Sequence, residues 1–131
     1  MRDSIVIALE RLREAKIRTS LFIDPDEDIV RLSADLGVDA IELHTGEYAN
    51  TWKMGDNDYE LARLKDTAEL ARSLGLAVHA GHGLTYENVT QVAVIEPIEE
   101  LNIGHSIISR AVIVGMERAV REMGELIRNA R

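Results

Sequence analysis

The 131 residues, 46% of them hydrophobic, describe one soluble domain spanning 1–131 and long enough to bury a real core, and the absence of cysteine excludes disulfides and thiolate metal sites. A formal charge of -8 without a visible basic patch disfavours a nucleic-acid partner, although free N–H groups at a helix N-terminus can still hold an anionic small substrate. No apolar run approaches the roughly 18 residues that cross a bilayer, and the charged start at Met1 lacks the apolar stretch of a secretory signal, so no membrane association and a cytoplasmic location are expected.

Helical and strand patterns alternate from one end to the other. Residues 3–16 put Ile5, Ala8, Leu9, Leu12 and Ala15 on one helical face, with Asp3 as the N-cap. A strand is expected over 18–23. Asp24-Pro25-Asp26-Glu27 then reads as a helix start, with a capping carboxylate, a proline at the first helical position and acids in the positive first turn; that helix should stop near Gly37. Strand 40–44 is followed by a longer polar loop holding Tyr48, Trp52 and Gly55, whose two aromatics either cap a pocket or simply pack or lie on the surface. A helix over 58–74 closes at Gly75, strand 76–80 leads through Gly81-His82-Gly83 into a helix near 85–95, and strand 100–103 leads through Gly104-His105 into two C-terminal helices parted at Gly115. Four strands alternating with helices imply a parallel sheet with right-handed crossovers, either an open sheet or half of an eight-stranded barrel, since a whole barrel takes about 250 residues.

The four histidines, His44, His79, His82 and His105, all fall where a short apolar run meets a glycine-containing turn. Those positions are strand C-termini, the edge at which parallel α/β sheets gather their sites, and imidazole exchanges protons near neutral pH. Within 41–44 the two-residue period sends Ile41 and Leu43 to one face and Glu42 and His44 to the other. Glu42 on an inward face is either a used carboxylate or a hydrogen-bonded structural anchor. His82, bracketed by glycines that let a ligand approach the backbone, suits a general acid or base, or ties down its loop. Gly104-His105-Ser106 offers free N–H groups, a helix dipole and a hydroxyl to an anion, or is an ordinary strand-to-helix turn. His79, with small neighbours, reads as packing. A metal cluster of Glu42 with histidines is chemically sensible but matches no recognised ligand spacing.

Taken together, Ser20-Leu21-Phe22-Ile23-Asp24, Ile41-Glu42-Leu43-His44-Thr45-Gly46, Ala80-Gly81-His82-Gly83-Leu84-Thr85-Tyr86 and Leu101-Asn102-Ile103-Gly104-His105 resemble, in order and spacing, the pyridoxine 5'-phosphate synthase family over nearly the whole chain. The resemblance implies a TIM barrel that condenses 1-deoxy-D-xylulose 5-phosphate with 3-amino-2-oxopropyl phosphate, needing no metal and no organic cofactor. By motif, His82 resembles the proton donor, Glu42 the carboxylate that stabilises transition states, and Gly83, Gly104 and His105 the contacts to the phosphate of the amino-ketone. It further implies that Met1 aligns ahead of the fifth strand, so that the chain is the C-terminal half of the barrel. Such a fragment is expected to be inactive alone, to expose sheet edges, and to form a homo-oligomer or pair with an N-terminal half-barrel. A non-catalytic phosphate-binding or assembly module and a metal-dependent hydrolase are the competing readings.

Overall fold

The computed structural model describes residues 2–131, with side chains from Ser4 onward. Its elements run α1 (Arg2–Glu14), β1 (Ser20–Ile23), α2 (Glu27–Asp35), β2 (Ala40–His44), α3 (Gly46–Met54), α4 (Asp58–Ser73), β3 (Ala77–Gly81), α5 (Val89–Ala93), β4 (Ile98–Asn102), α6 (His105–Val114) and α7 (Met116–Ala130). The strands form one parallel sheet in the order β1-β2-β3-β4, each neighbour in space being the next in sequence, as in consecutive strand–helix units of a barrel.

The two faces of the sheet differ in chemistry because side chains alternate along each strand. On the helix-covered face Ile41, Leu43, Val78, Ala80 and Ile98 are essentially fully buried and meet Val30, Leu64, Ala68, Ala71 and Val92 from α2, α4 and α5. Each such aliphatic burial contributes about 1.5–3 kcal/mol for a side chain of valine size or larger, so this layer carries most of the fold's stability. The opposite face presents Ser20, Phe22, Glu42, His44, His79, Glu100 and Asn102, all exposed or half-buried. An irregularity in the β3–β4 register, where Val78 faces Ile98 but His79 faces Glu100, inserts Glu99 as an extra residue. That insertion keeps Ile98 in the core while Glu100 and Asn102 join the open face.

Several local expectations need correction. Because α1 begins at Arg2, Asp3 is not at its N-cap position, and the Asp3 side chain lies outside the described residues. Of the apolar face on α1 only Leu9 is buried; Ile5 and Leu12 stay exposed. The cap of α2 is Asp26, whose Oδ1 accepts the Ile29 N–H at 3.1 Å, two residues later than Asp24. Residues 46–54 are helix and not loop: Tyr48 and Ala49 are buried, and the Tyr48 hydroxyl donates to the Asn88 carbonyl at 2.7 Å, tying α3 to the segment after β3. Tyr48 and Trp52, four residues apart on α3, therefore pack inward, their rings 6.2 Å apart, and neither caps a pocket. Burial pushes the Tyr48 hydroxyl up to about 12, so it stays protonated and able to donate. Finally, α5 is a short Val89–Ala93 piece. Asn88 Oδ1 accepts the Thr85 N–H at 2.7 Å and holds 85–88 as a turn.

Among the described residues no helix is long and apolar enough to cross a membrane. One edge of β1 and one edge of β4 have no partner strand among the described residues.

Candidate active site

The C-terminal ends of β2, β3 and β4 converge on a cavity of about 660 Å³, and Glu42, His82, Gly83, Gly104 and His105 all line it. A larger groove, of about 960 Å³, runs between α4 and the residues around α5, on the helical side of the sheet, and none of the candidates reaches it.

Glu42 stands in the middle of β2, beside Phe22 on β1 and His79 on β3 in the strand register. Its carboxylate leans along the strand toward the cavity and crosses β3 where Gly81 has no side chain. A Cβ built on Gly81 would lie 2.5 Å from Glu42 Oε1. Beyond that gap Asn102, the last residue of β4, donates its side-chain N–H to Glu42 Oε2 at 2.9 Å. A glycine that reads in the sequence as half of a flexible bracket is here a space, and Asn102 was not among the expected site residues.

His82 follows β3 directly and has φ +80, a left-handed conformation that costs a non-glycine residue about 1–3 kcal/mol. The strain is held by Thr45, which is fully buried: its hydroxyl lies 2.8 Å from the Gly81 carbonyl and 2.6 Å from the His82 carbonyl, and its backbone N–H also donates to Gly81 at 2.8 Å. Gly83 continues in the left-handed region at φ +80, where a side chain would meet Ala49 at 2.8 Å. Asn88 donates to the Gly83 carbonyl at 3.3 Å. The turn that carries the imidazole is thus fixed by β2 on one side and by the start of α5 on the other.

The His82 ring stacks on His44, with centroids 4.7 Å apart and planes 28° from parallel. Phe22 meets the other side of His44 edge-on at 5.1 Å, and Asp24 Oδ1 lies 3.7 Å from His44 Nδ1. His44 and Phe22 line the cavity as well. His79 differs from its three counterparts, because it is the third residue of β3 and sits a layer below the strand ends.

At the far wall, α6 starts at His105 with Gly104 as its N-cap and no side-chain cap, leaving the first-turn N–H groups without helical partners. Ser106 does not offer its hydroxyl hydrogen to an anion here. It donates to the Leu84 carbonyl at 2.8 Å and pins the start of α6 to the His82 turn. Among the described residues no three His, Asp or Glu side chains are placed to hold a metal ion.

Residues 1–129 match the model of the family described as pyridoxal phosphate biosynthesis protein PdxJ. The chain belongs to the PdxJ family. It is 48% identical over 128 residues to a pyridoxine 5'-phosphate synthase of Citrifermentans bemidjiense, covering 98% of this chain and 54% of that protein. Synthases of the same name from Sulfurihydrogenibium sp. and Prochlorococcus marinus are each 51% identical, covering 100% and 94% of this chain and 54% and 50% of their own lengths. The chain therefore spans about half the length of the curated relatives it matches. Four parallel strands with their covering helices are accordingly about half of the PdxJ TIM barrel.

Proposed function

We propose that this chain forms the C-terminal half of one barrel domain of a pyridoxine 5'-phosphate synthase, joining 1-deoxy-D-xylulose 5-phosphate and 3-amino-2-oxopropyl phosphate into the ring of vitamin B6. The observation that carries this reading is the convergence of Glu42, His82, Gly83, Gly104 and His105 on one cavity at the strand C-termini. Closing the ring requires repeated proton transfers around imine and enamine intermediates. His82, held by its locked turn, delivers protons; the Glu42 carboxylate, beside a neutral amide donor, stabilises the cationic character that develops on nitrogen. Gly83, the Gly104 cap and His105 receive the phosphate of the amino-ketone, using free N–H groups and the positive end of α6.

The site is open on the side of β1 and β4. Phe22 is 56% exposed on the barrel-facing side of β1, and the free edges of both strands leave backbone groups ready to pair. These features support pairing with an N-terminal half-barrel, or with a second copy of the chain, before turnover. Chemistry on small phosphorylated metabolites fits a cytoplasmic protein.

The test is product formation from the two phosphorylated substrates by the chain alone and after co-expression with the N-terminal half of a PdxJ relative. Expected is little or no product alone and clear turnover in the completed barrel, lost by about 10²-fold or more on His82→Ala. A completed barrel that binds inorganic phosphate yet makes no product would replace the enzyme with a phosphate-binding module.

A further inference from the structure

We propose that Asn102 is the positioning residue of the Glu42 carboxylate, acting through the gap above Gly81. The inference rests on the reading of Glu42 as a working carboxylate, and it concerns what aims it.

A glutamate on the open face of a sheet has three side-chain torsions and no intrinsic reason to point at the cavity. Here the carboxylate spans from β2 across β3 to β4, a reach possible only because Gly81 leaves its place on the inner face empty. An ionised carboxylate only accepts hydrogen bonds, so the Asn102 amide must present its NH2 group, as the 2.9 Å contact to Oε2 has it. Only one carboxylate oxygen has a protein hydrogen-bond donor among the described residues, and both residues border the cavity, so the other is available to substrate.

The choice of donor matters. Lysine or arginine at 102 would aim the carboxylate equally well but cancel its charge, removing what a developing iminium would be attracted to. Aspartate would repel it, and serine is too short to bridge two strands. A neutral amide orients the group and leaves its charge intact. Asn102 also lies two residues before Gly104, so the strand end that aims the carboxylate continues directly into the proposed phosphate corner.

Two measurements test the proposal. On the chain alone, urea unfolding of Asn102→Asp should fall well below the parent at pH 8, where two carboxylates face each other, and recover toward it at pH 5, where the pair shares a proton; the deficit of Asn102→Ala should not change over that range. The Asn102 side-chain amide signals in an NMR spectrum of the chain, which need no change at 102, should move on Glu42→Gln. In the completed barrel Asn102→Ala should lower kcat about tenfold or more, with KM for either substrate within about twofold. A pH-independent deficit for Asn102→Asp, unmoved amide signals, or unchanged kcat for Asn102→Ala would each overturn the role. If instead the pair titrates as expected while the parent barrel makes no product, the synthase reading fails and the Asn102–Glu42 contact stands without a reaction to serve.

Discussion

Replacing Gly81 by alanine separates a spatial role from a merely flexible one. Its added Cβ would lie 2.5 Å from Glu42 Oε1, 2.8 Å from the Asn102 backbone oxygen and 3.0 Å from the Asn102 Cβ. Swinging Glu42 aside relieves the first contact but breaks its bond to Asn102, worth about 1.5 kcal/mol at the low end for a charged acceptor that is partly solvated. The backbone contact cannot be relieved by any rotamer, so β4 must draw away from β3, an overpacking cost of about 1–3 kcal/mol. Reduced freedom of the unfolded chain returns about 0.5 kcal/mol, leaving a net loss of about 2–4 kcal/mol. Gly104→Ala is the control: its φ is -114, and nothing lies within 4 Å of the added carbon. Urea unfolding followed by circular dichroism should separate the two variants by about 2 M in midpoint, taking an m-value of about 1.5 kcal/mol/M. Midpoints that agree to within about 0.3 M would refute the packing argument and return Gly81 to a role in flexibility.

Other expectations follow from the same geometry. Because His82 has φ +80, His82→Gly should be more stable than His82→Ala by about 1 kcal/mol, both having lost the stack on His44; equal stabilities in urea would mean the turn is not strained. Where α6 meets α7, the Arg110 guanidinium, and then Arg118, hold the Glu122 carboxyl down from 4.5 to about 2. A lowered folded-state value stabilises above the unfolded value and is lost as pH falls, so the stability gap between the parent and Glu122→Gln should be full at pH 6, shrink below about 4.5 and vanish near 2. A gap that persists unchanged at pH 2.5 would contradict this.

Much of the architecture was legible because two periodicities are strong. Residues 40–44 alternate cleanly, and the strand occurs over those residues with Ile41 and Leu43 inward to the core and Glu42 and His44 on the open face. The helix stops at Gly37, Gly75 and Gly115 also hold, each glycine having positive φ. By contrast α3 was invisible: it starts without a side-chain cap, and it is anchored by Tyr48 to Asn88, a partner 40 residues away. For α5 the error ran the other way, since the Thr85 and Asn88 side chains compete with the helix for backbone groups. In the site, residue type pointed to Glu42 and His82, but Asn102 carries no local signal. Its importance exists only once β2 and β4 lie two strands apart with a glycine between them.

Thr45 comes immediately after His44 and grips the turn that bears His82. Three residues of β2 and one hydroxyl therefore link Glu42 to the turn that bears His82, so the two candidates are held to one another through a short stretch of chain. Both are positioned by contacts within this chain, Glu42 by β2 itself and His82 by the Thr45 hydroxyl. Under the proposed function, a second half-barrel would add the remaining substrate contacts and exclude water, finding the Glu42–His82 corner already in place as a template.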